Sequence, residues 1–121
     1  MSSAATRAAV LAHVDAFNAA DTDRLLGGLH PDVVWVTGSD VLRGTAQLRD
    51  ELFDEGLWAL RPSLVVRTLL VEGEAAAGMF REELVLDGER REFDIAVFFT
   101  VRDGVIRTVR VFREGSADIG P

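Results

Sequence analysis

A carboxylate interrupts an apolar row in the stretch FREELVLDG, residues 80–88. The closing Asp-Gly pair is typical of a two-residue hairpin turn, so the preceding residues should form a strand whose side chains alternate between two faces. Glu82 then shares a face with Phe80 and Leu84. A carboxylate enclosed there would lose its hydration, which favours the neutral form and makes the group a usable proton donor or acceptor.

The register of this hairpin decides which face Glu82 occupies. A two-residue turn pairs Glu82 with Phe93 and Phe80 with Ile95, and the same face continues through Phe99. The opposite face is clearly less apolar, so we expect the face that carries Glu82 to meet the core. A slip of one residue would move Glu82 to the other face.

His13 and Asp40 are further candidates for acid/base chemistry. His13 lies beside the apolar stripe of the first predicted helix, and Asp40 lies in the loop after the first predicted strand, from which it could lean into the mouth of a cavity. Each candidate also has a structural explanation. Glu82 can pair with Arg67 or Arg91, His13 can be an ordinary core or surface residue, and Asp40 can serve a turn.

Composition argues against several classes of function. The chain has no Cys, and its two His residues, at positions 13 and 30, lack the spacing of metal ligands, so no metal is expected. No phosphate loop or dinucleotide motif occurs, so no cofactor is expected. A net charge of −7 without a basic patch argues against nucleic acid as a partner. The absence of an apolar run of about 18 residues predicts that the chain does not span a membrane, and the N-terminus lacks a cleavable signal pattern. The absence of Cys favours a cytoplasmic address.

The elements that position these residues follow from periodicity and turn signals. We predict a first helix to about residue 20, a short second helix that ends at Pro31, a strand DVVWV, a loop over residues 38–44 and a third helix from Thr45. Four strands follow: SLVVRTLLV, AAAGMFREELVL, REFDIAVFFTVR and VIRTVRVFR. Helices followed by an antiparallel meander indicate an α+β fold in a single domain over residues 1–121.

The order of these pieces resembles the SnoaL-like and ketosteroid-isomerase-like families of the nuclear transport factor two-like superfamily. The resemblance rests on the two N-terminal helices, HPDVVWV, the short helix after Arg-Gly, and the closing VFFTVRDGVIRTVRVF, and it covers nearly the whole chain. It implies a cone-shaped fold, in which a curved antiparallel sheet encloses a pocket closed by three N-terminal helices. It also implies frequent dimers and usually no cofactor.

The resemblance does not supply the catalytic residues of the superfamily's known enzymes. Its steroid isomerases use a carboxylate after the first strand, a Tyr on the first helix and a protonated Asp on the fourth strand, and these roles fall on Thr37, His13 and Val97. Because Val97 cannot donate a proton, we expect no steroid isomerase activity by that mechanism. The Arg and two Asp residues of the epoxide hydrolases have no match either, and Val111 lies near the position of one expected acid.

The resemblance does imply a mostly apolar pocket for a small hydrophobic molecule. Substrate-binding positions implied in this way are Phe17, Trp35, Thr37, Phe80, Phe93, Val97 and Phe99.

Our leading hypothesis is a pocket protein that binds a small hydrophobic metabolite and performs isomerisation, cyclisation or epoxide opening by acid/base catalysis. Glu82 would be the carboxylate, His13 its proton partner and Asp40 a third catalytic group, while Trp35 and Thr37 orient the substrate.

The alternative hypothesis is a non-catalytic ligand-binding or dimerisation module. An enzyme should hold Glu82 and His13 within one water of each other, whereas a binding module should show Glu82 neutralised by an Arg or pointing outside. We also expect a homodimer, because Met79, Ala96 and Phe98 form a small apolar patch on the outer face of the predicted sheet.

Overall fold

The computed structural model describes residues 2–113. Within that range the chain forms four helices and six strands, which run in the order α1 Ser3–Asn18, α2 Thr22–Gly27, β1 Leu29–Thr37, β2 Asp40–Arg43, α3 Thr45–Glu51, α4 Glu55–Ala59, β3 Ser63–Glu72, β4 Ala75–Leu86, β5 Glu89–Arg102 and β6 Val105–Arg113. No helix of this part of the chain is long and apolar enough to cross a membrane.

The six described strands form one sheet in the order β2-β1-β6-β5-β4-β3. Consecutive strands of the β3–β6 meander pair antiparallel, as do β1 and β2, whereas β1 and β6 pair parallel. The last strand of the meander, β6, lies beside β1 and runs in the same direction, so these two strands pair parallel. The predicted α+β fold class is confirmed, with a mostly antiparallel sheet.

The predicted hairpin register between β4 and β5 is confirmed. Glu82 pairs with Phe93 and Phe80 pairs with Ile95. The turn residues Asp87 and Gly88 both have positive φ, at 53° and 78°, as a two-residue turn of this hand requires. Phe80 is buried, so the face that carries Glu82 does meet the core.

Two local elements differ from the prediction. Residues 40–43 form the short strand β2 instead of a loop, because Gly38, with φ of 59°, closes a tight turn that pairs Asp40 with Thr37. The predicted third helix is two helices, α3 and α4. The side chain of Asp54 accepts a hydrogen bond from the Leu57 backbone N–H at 3.1 Å, and this cap begins a new helix.

Helix α1 lies across the concave face of the sheet and is tied to it near both ends. The Thr6 hydroxyl donates to the Gly73 carbonyl at 2.6 Å, close to the start of the helix. At the other end, the Asn18 side chain donates to the Leu64 carbonyl at 3.0 Å and accepts from the Leu64 N–H at 2.7 Å. These hydrogen bonds fix the axial position of α1, and therefore which of its residues reach the space beneath it.

Candidate ligand-binding site

A cavity of about 150 Å³ lies between α1, the α3–α4 segment and the concave face of the sheet. Most of its lining is aliphatic or aromatic. The polar and charged side chains that reach it are His13, Trp35, Thr37, Glu82 and Arg113. An apolar cavity with a few convergent polar groups is the usual form of a small-molecule site.

His13 is enclosed in the wall that α1 contributes. Its side chain is buried, with 6% of the residue exposed, and its ring lies 5.7 Å from the ring of Trp35 and 6.1 Å from that of Phe99. Burial lowers the pKa of His13 to about 4, because the charged imidazolium would lose its hydration. The imidazole is therefore neutral at pH 7, and its Nδ1 has no hydrogen-bond partner among residues 2–113.

Glu82 lies on the cavity wall, as predicted, and it is paired with a positive charge. Nη1 of Arg113 donates to Oε1 of Glu82, and the guanidinium carbon of Arg113 lies 5.7 Å from the centre of the Phe93 ring. The Glu82 side chain is 11% exposed and that of Arg113 is 43% exposed, so the pair extends from the cavity wall towards its rim. A guanidinium and a carboxylate in such contact form a charge-assisted hydrogen bond, and each offsets the charge of the other.

The predicted partners of Glu82, Arg67 and Arg91, are wrong. Arg67 is exposed at an irregularity in β3, and Arg91 lies 4.0 Å from Glu89. Arg113 comes instead from β6, two strands away from β4, because its long side chain reaches across β5. The neutralised Glu82 is the arrangement that we expected of a binding module.

Two other predicted site residues lie outside the cavity lining. Asp40 is exposed at the start of β2, where its pairing with Thr37 holds it at the edge of the sheet. Phe93 is half-buried and supports Arg113 instead of facing the cavity. The other predicted substrate-binding positions do line it: Phe17, Trp35, Thr37, Phe80, Val97 and Phe99.

Sequence reasoning missed the lining that Arg113 and the α3–α4 segment contribute. Arg113 lies two residues after Val111 on β6, so its side chain is on the same face as those of Val109 and Val111. This alternation could have identified Arg113 as a lining residue from the sequence. Leu57 on α4 also lines the cavity. The neighbouring Trp58 donates its indole N–H to the Thr22 hydroxyl at 2.9 Å, which ties α4 to α2.

Metal ligands do not gather at this site. Within residues 2–113, no three His, Asp or Glu side chains are close enough together to hold a metal ion. The convergent groups are instead one neutral imidazole and one ion pair, which suit hydrogen bonding and proton transfer.

Solved structures from several organisms share this fold. A proposed ketosteroid isomerase from Kribbella flavida DSM 17836 is 26% identical, with a TM-score of 0.80 over 98% of this chain and 84% of that one. TerC, co-crystallised with polyporic acid, is 23% identical, with a TM-score of 0.81 over 91% and 92% of the two chains. An LEH-like epoxide hydrolase from M. tuberculosis is 21% identical, with a TM-score of 0.82 over 93% and 84%.

Sequence comparison agrees with this structural similarity. The search of curated proteins finds no match. Residues 10–109, by contrast, match the SnoaL-like domain, and they make up most of the chain. The chain therefore belongs to the SnoaL-like domain family of the nuclear transport factor two-like superfamily, as the resemblance in its sequence predicted.

Proposed function

We propose that this protein binds a small, mostly apolar molecule in the cavity beneath α1. The observation that carries the proposal is a mainly apolar lining on which an imidazole and an ion pair converge. Apolar walls provide the affinity by burying ligand surface, while a few polar groups select the orientation. The structural neighbour TerC was crystallised with polyporic acid, which is in keeping with a ligand-binding use of this fold.

Cavity filling tests the binding proposal. Val97 lines the cavity, so Val97→Phe should occupy its space and abolish binding of compact hydrocarbons such as benzene and cyclohexane. Val41→Phe is the matched control, because Val41 is 48% exposed and lies outside the lining. Titration calorimetry with ¹H–¹⁵N NMR spectra should show binding to the wild type and to Val41→Phe only. Equal binding by folded Val97→Phe would contradict the proposal, as would no binding by the wild type.

A second candidate function is acid/base catalysis of isomerisation, cyclisation or epoxide opening. The observation that favours it is the position of the Glu82 carboxylate on the cavity wall, where it can accept a proton from a bound molecule. Arg113 would hold the carboxylate in place, and Trp35 and Thr37 would orient the substrate. His13, with a pKa of about 4, is a poor proton acceptor at pH 7, so its part would be to hydrogen-bond the ligand.

Replacement of two adjacent glutamates separates catalysis from binding. Glu82→Gln keeps the shape of the side chain and removes the proton acceptor, so an enzyme should lose turnover while it still binds ligand. Glu83→Gln is the control, because Glu83 is on the other face of β4 and pairs with Arg90 at 3.3 Å. Product analysis by mass spectrometry over a panel of cyclic epoxides and enones provides the measurement. Turnover that survives in Glu82→Gln would refute the catalytic role.

A further inference from the structure

The size of the cavity limits what it can hold. Its volume is about 150 Å³. A cavity of roughly that volume accommodates one benzene molecule, whereas pockets for drug-sized ligands measure about 300 to 1,000 Å³. The cavity therefore has room for one ring, and two fused rings would require its walls to move apart.

Aromatic contacts hold those walls in place. Phe53 packs edge-on against Trp35, with ring centres 5.2 Å apart, and against Phe17 at 6.4 Å. Phe53 also stacks on Trp58 at 6.1 Å. Movement of the α3–α4 segment to enlarge the cavity would break the contacts of Phe53 with Trp35 and Phe17, each of which is worth about 0.5–1.5 kcal/mol beyond the area it buries.

The charges at the cavity balance one another. Glu82 is paired with Arg113, and His13 is neutral at pH 7 because burial lowers its pKa to about 4. An anionic ligand would have to compete with Glu82 for Arg113, and a cationic ligand would have to compete with Arg113 for Glu82. The lining therefore favours an uncharged ligand, because a charge would lose its hydration without gaining a free partner.

The cavity lining includes the imidazole of His13, which has an unpartnered nitrogen among residues 2–113. Nδ1 of His13 is buried and makes no hydrogen bond within residues 2–113. A neutral imidazole has one donor and one acceptor nitrogen, so a ligand hydroxyl can pair with either nitrogen, and a carbonyl can pair with the one that carries the proton. Polar groups in native proteins nearly always have a partner, and a ligand in the cavity that His13 lines would provide one for its imidazole.

We infer that the ligand is an uncharged molecule the size of a single ring, whose one hydroxyl or carbonyl group hydrogen-bonds to the imidazole of His13. The inference rests on the proposed function, because it specifies the class of molecule that the cavity takes.

A matched series of probes tests the inference. Dissociation constants for cyclohexane, cyclohexanol, cyclohexanone, cyclohexanecarboxylate and decahydro-2-naphthol would be measured at pH 7 with the wild type, His13→Leu and His30→Leu. The dissociation constant of cyclohexane, divided by that of cyclohexanol or of cyclohexanone, should be about tenfold smaller in His13→Leu than in the wild type. Comparison of this ratio between proteins cancels the difference in hydration between the probes. His30→Leu is the control, because His30 does not line the cavity, and it should keep the wild-type ratio.

A spectroscopic measurement makes the test independent of the variant. In wild-type protein with ¹⁵N-labelled histidine, cyclohexanol or cyclohexanone should shift a ring-nitrogen resonance of His13, whereas cyclohexane should not.

The outcomes distinguish the inference from the proposed function. The inference is overturned if cyclohexane binds but both the ratio and the ring-nitrogen resonances of His13 are unchanged, or if cyclohexanecarboxylate or decahydro-2-naphthol binds as tightly as cyclohexanol. In those cases the proposed binding function stands. If no probe binds the wild type, both are overturned.

Discussion

At the scale of single residues, His13 is the feature that packing alone explains least. It is buried, neutral at pH 7 and unpartnered at Nδ1 within the described chain. A buried polar atom without a partner costs about 1–3 kcal/mol of stability. A histidine that is kept for a ligand should therefore make the ligand-free protein less stable than an apolar side chain of similar size would.

His13→Leu should accordingly raise the free energy of unfolding at pH 7 by about 1–3 kcal/mol. Leucine fills nearly the same volume, favours the helix and leaves no polar atom unpaired. Urea denaturation of the ligand-free protein measures the difference. A loss of stability in His13→Leu would instead indicate that the imidazole is a satisfied structural group.

The same variant should change the response to acid. Burial lowers the pKa of His13 from 6.5 to about 4, so between these values the unfolded chain binds a proton that the folded chain does not. The stability of the wild type therefore falls as the pH drops from 6.5 to about 4, by an amount on the order of 3 kcal/mol from this residue. His13→Leu should lack this part of the loss. Denaturation at several pH values isolates it, because the carboxylates contribute equally to both proteins.

At the scale of elements, β4 fits beneath α1 because a glycine makes room for an aromatic ring. A Cβ atom built on Gly78 would lie 2.5 Å from Cε2 of Phe80, and Phe80 is only 1% exposed. Gly78 and Phe80 are two residues apart and so lie on the same face of the strand. The size of residue 78 therefore sets how the Phe80 ring lies in the cavity wall.

Gly78→Ala should destabilise the protein by about 1–3 kcal/mol, because the added Cβ would force the buried Phe80 ring out of its packed position and would lie 3.2 Å from the Thr68 carbonyl oxygen. Gly27→Ala, the matched control, meets nothing within 4 Å and should be neutral or slightly stabilising. The double variant Gly78→Ala/Phe80→Leu should lose less stability than the sum of its single variants. Thermal or urea denaturation gives these values, and an additive double variant would contradict the explanation.

At the scale of the whole molecule, the convex face of the sheet carries an apolar patch that extends the predicted one. Met79, Phe98 and Phe112 are 45%, 53% and 51% exposed, with Ala96 between them. The rings of Phe98 and Phe112 meet edge-on at 5.8 Å. Contiguous apolar surface of this kind commonly marks an interface, which supports the expected homodimer.

Phe98→Glu should therefore convert a dimer into a monomer, because a charge in the centre of the patch would be desolvated without a partner on association. Size-exclusion chromatography with light scattering measures the mass. Leu11→Glu is the control, because Leu11 is 39% exposed on α1, on the other side of the sheet, and this change should leave the dimer intact. A wild-type protein that is monomeric at all concentrations would rule out the interface.

The sequence by itself determined the features that depend on neighbouring residues. The Asp87–Gly88 turn set the register of β4 against β5, and strict alternation then placed Glu82 on the core face. The apolar period of α1 likewise placed His13 towards the sheet. These features were predictable because a two-residue turn and a helical or strand period act over only a few residues.

Tertiary structure alone decided how distant segments meet. The order of the strands brought Arg113 on β6 within reach of Glu82, and it made β1 and β6 a parallel pair. The same long-range packing moved Asp40 to the edge of the sheet and set the cavity volume at about 150 Å³. Local patterns carry no information on which strands become neighbours, because that choice depends on the burial of apolar surface by the whole chain.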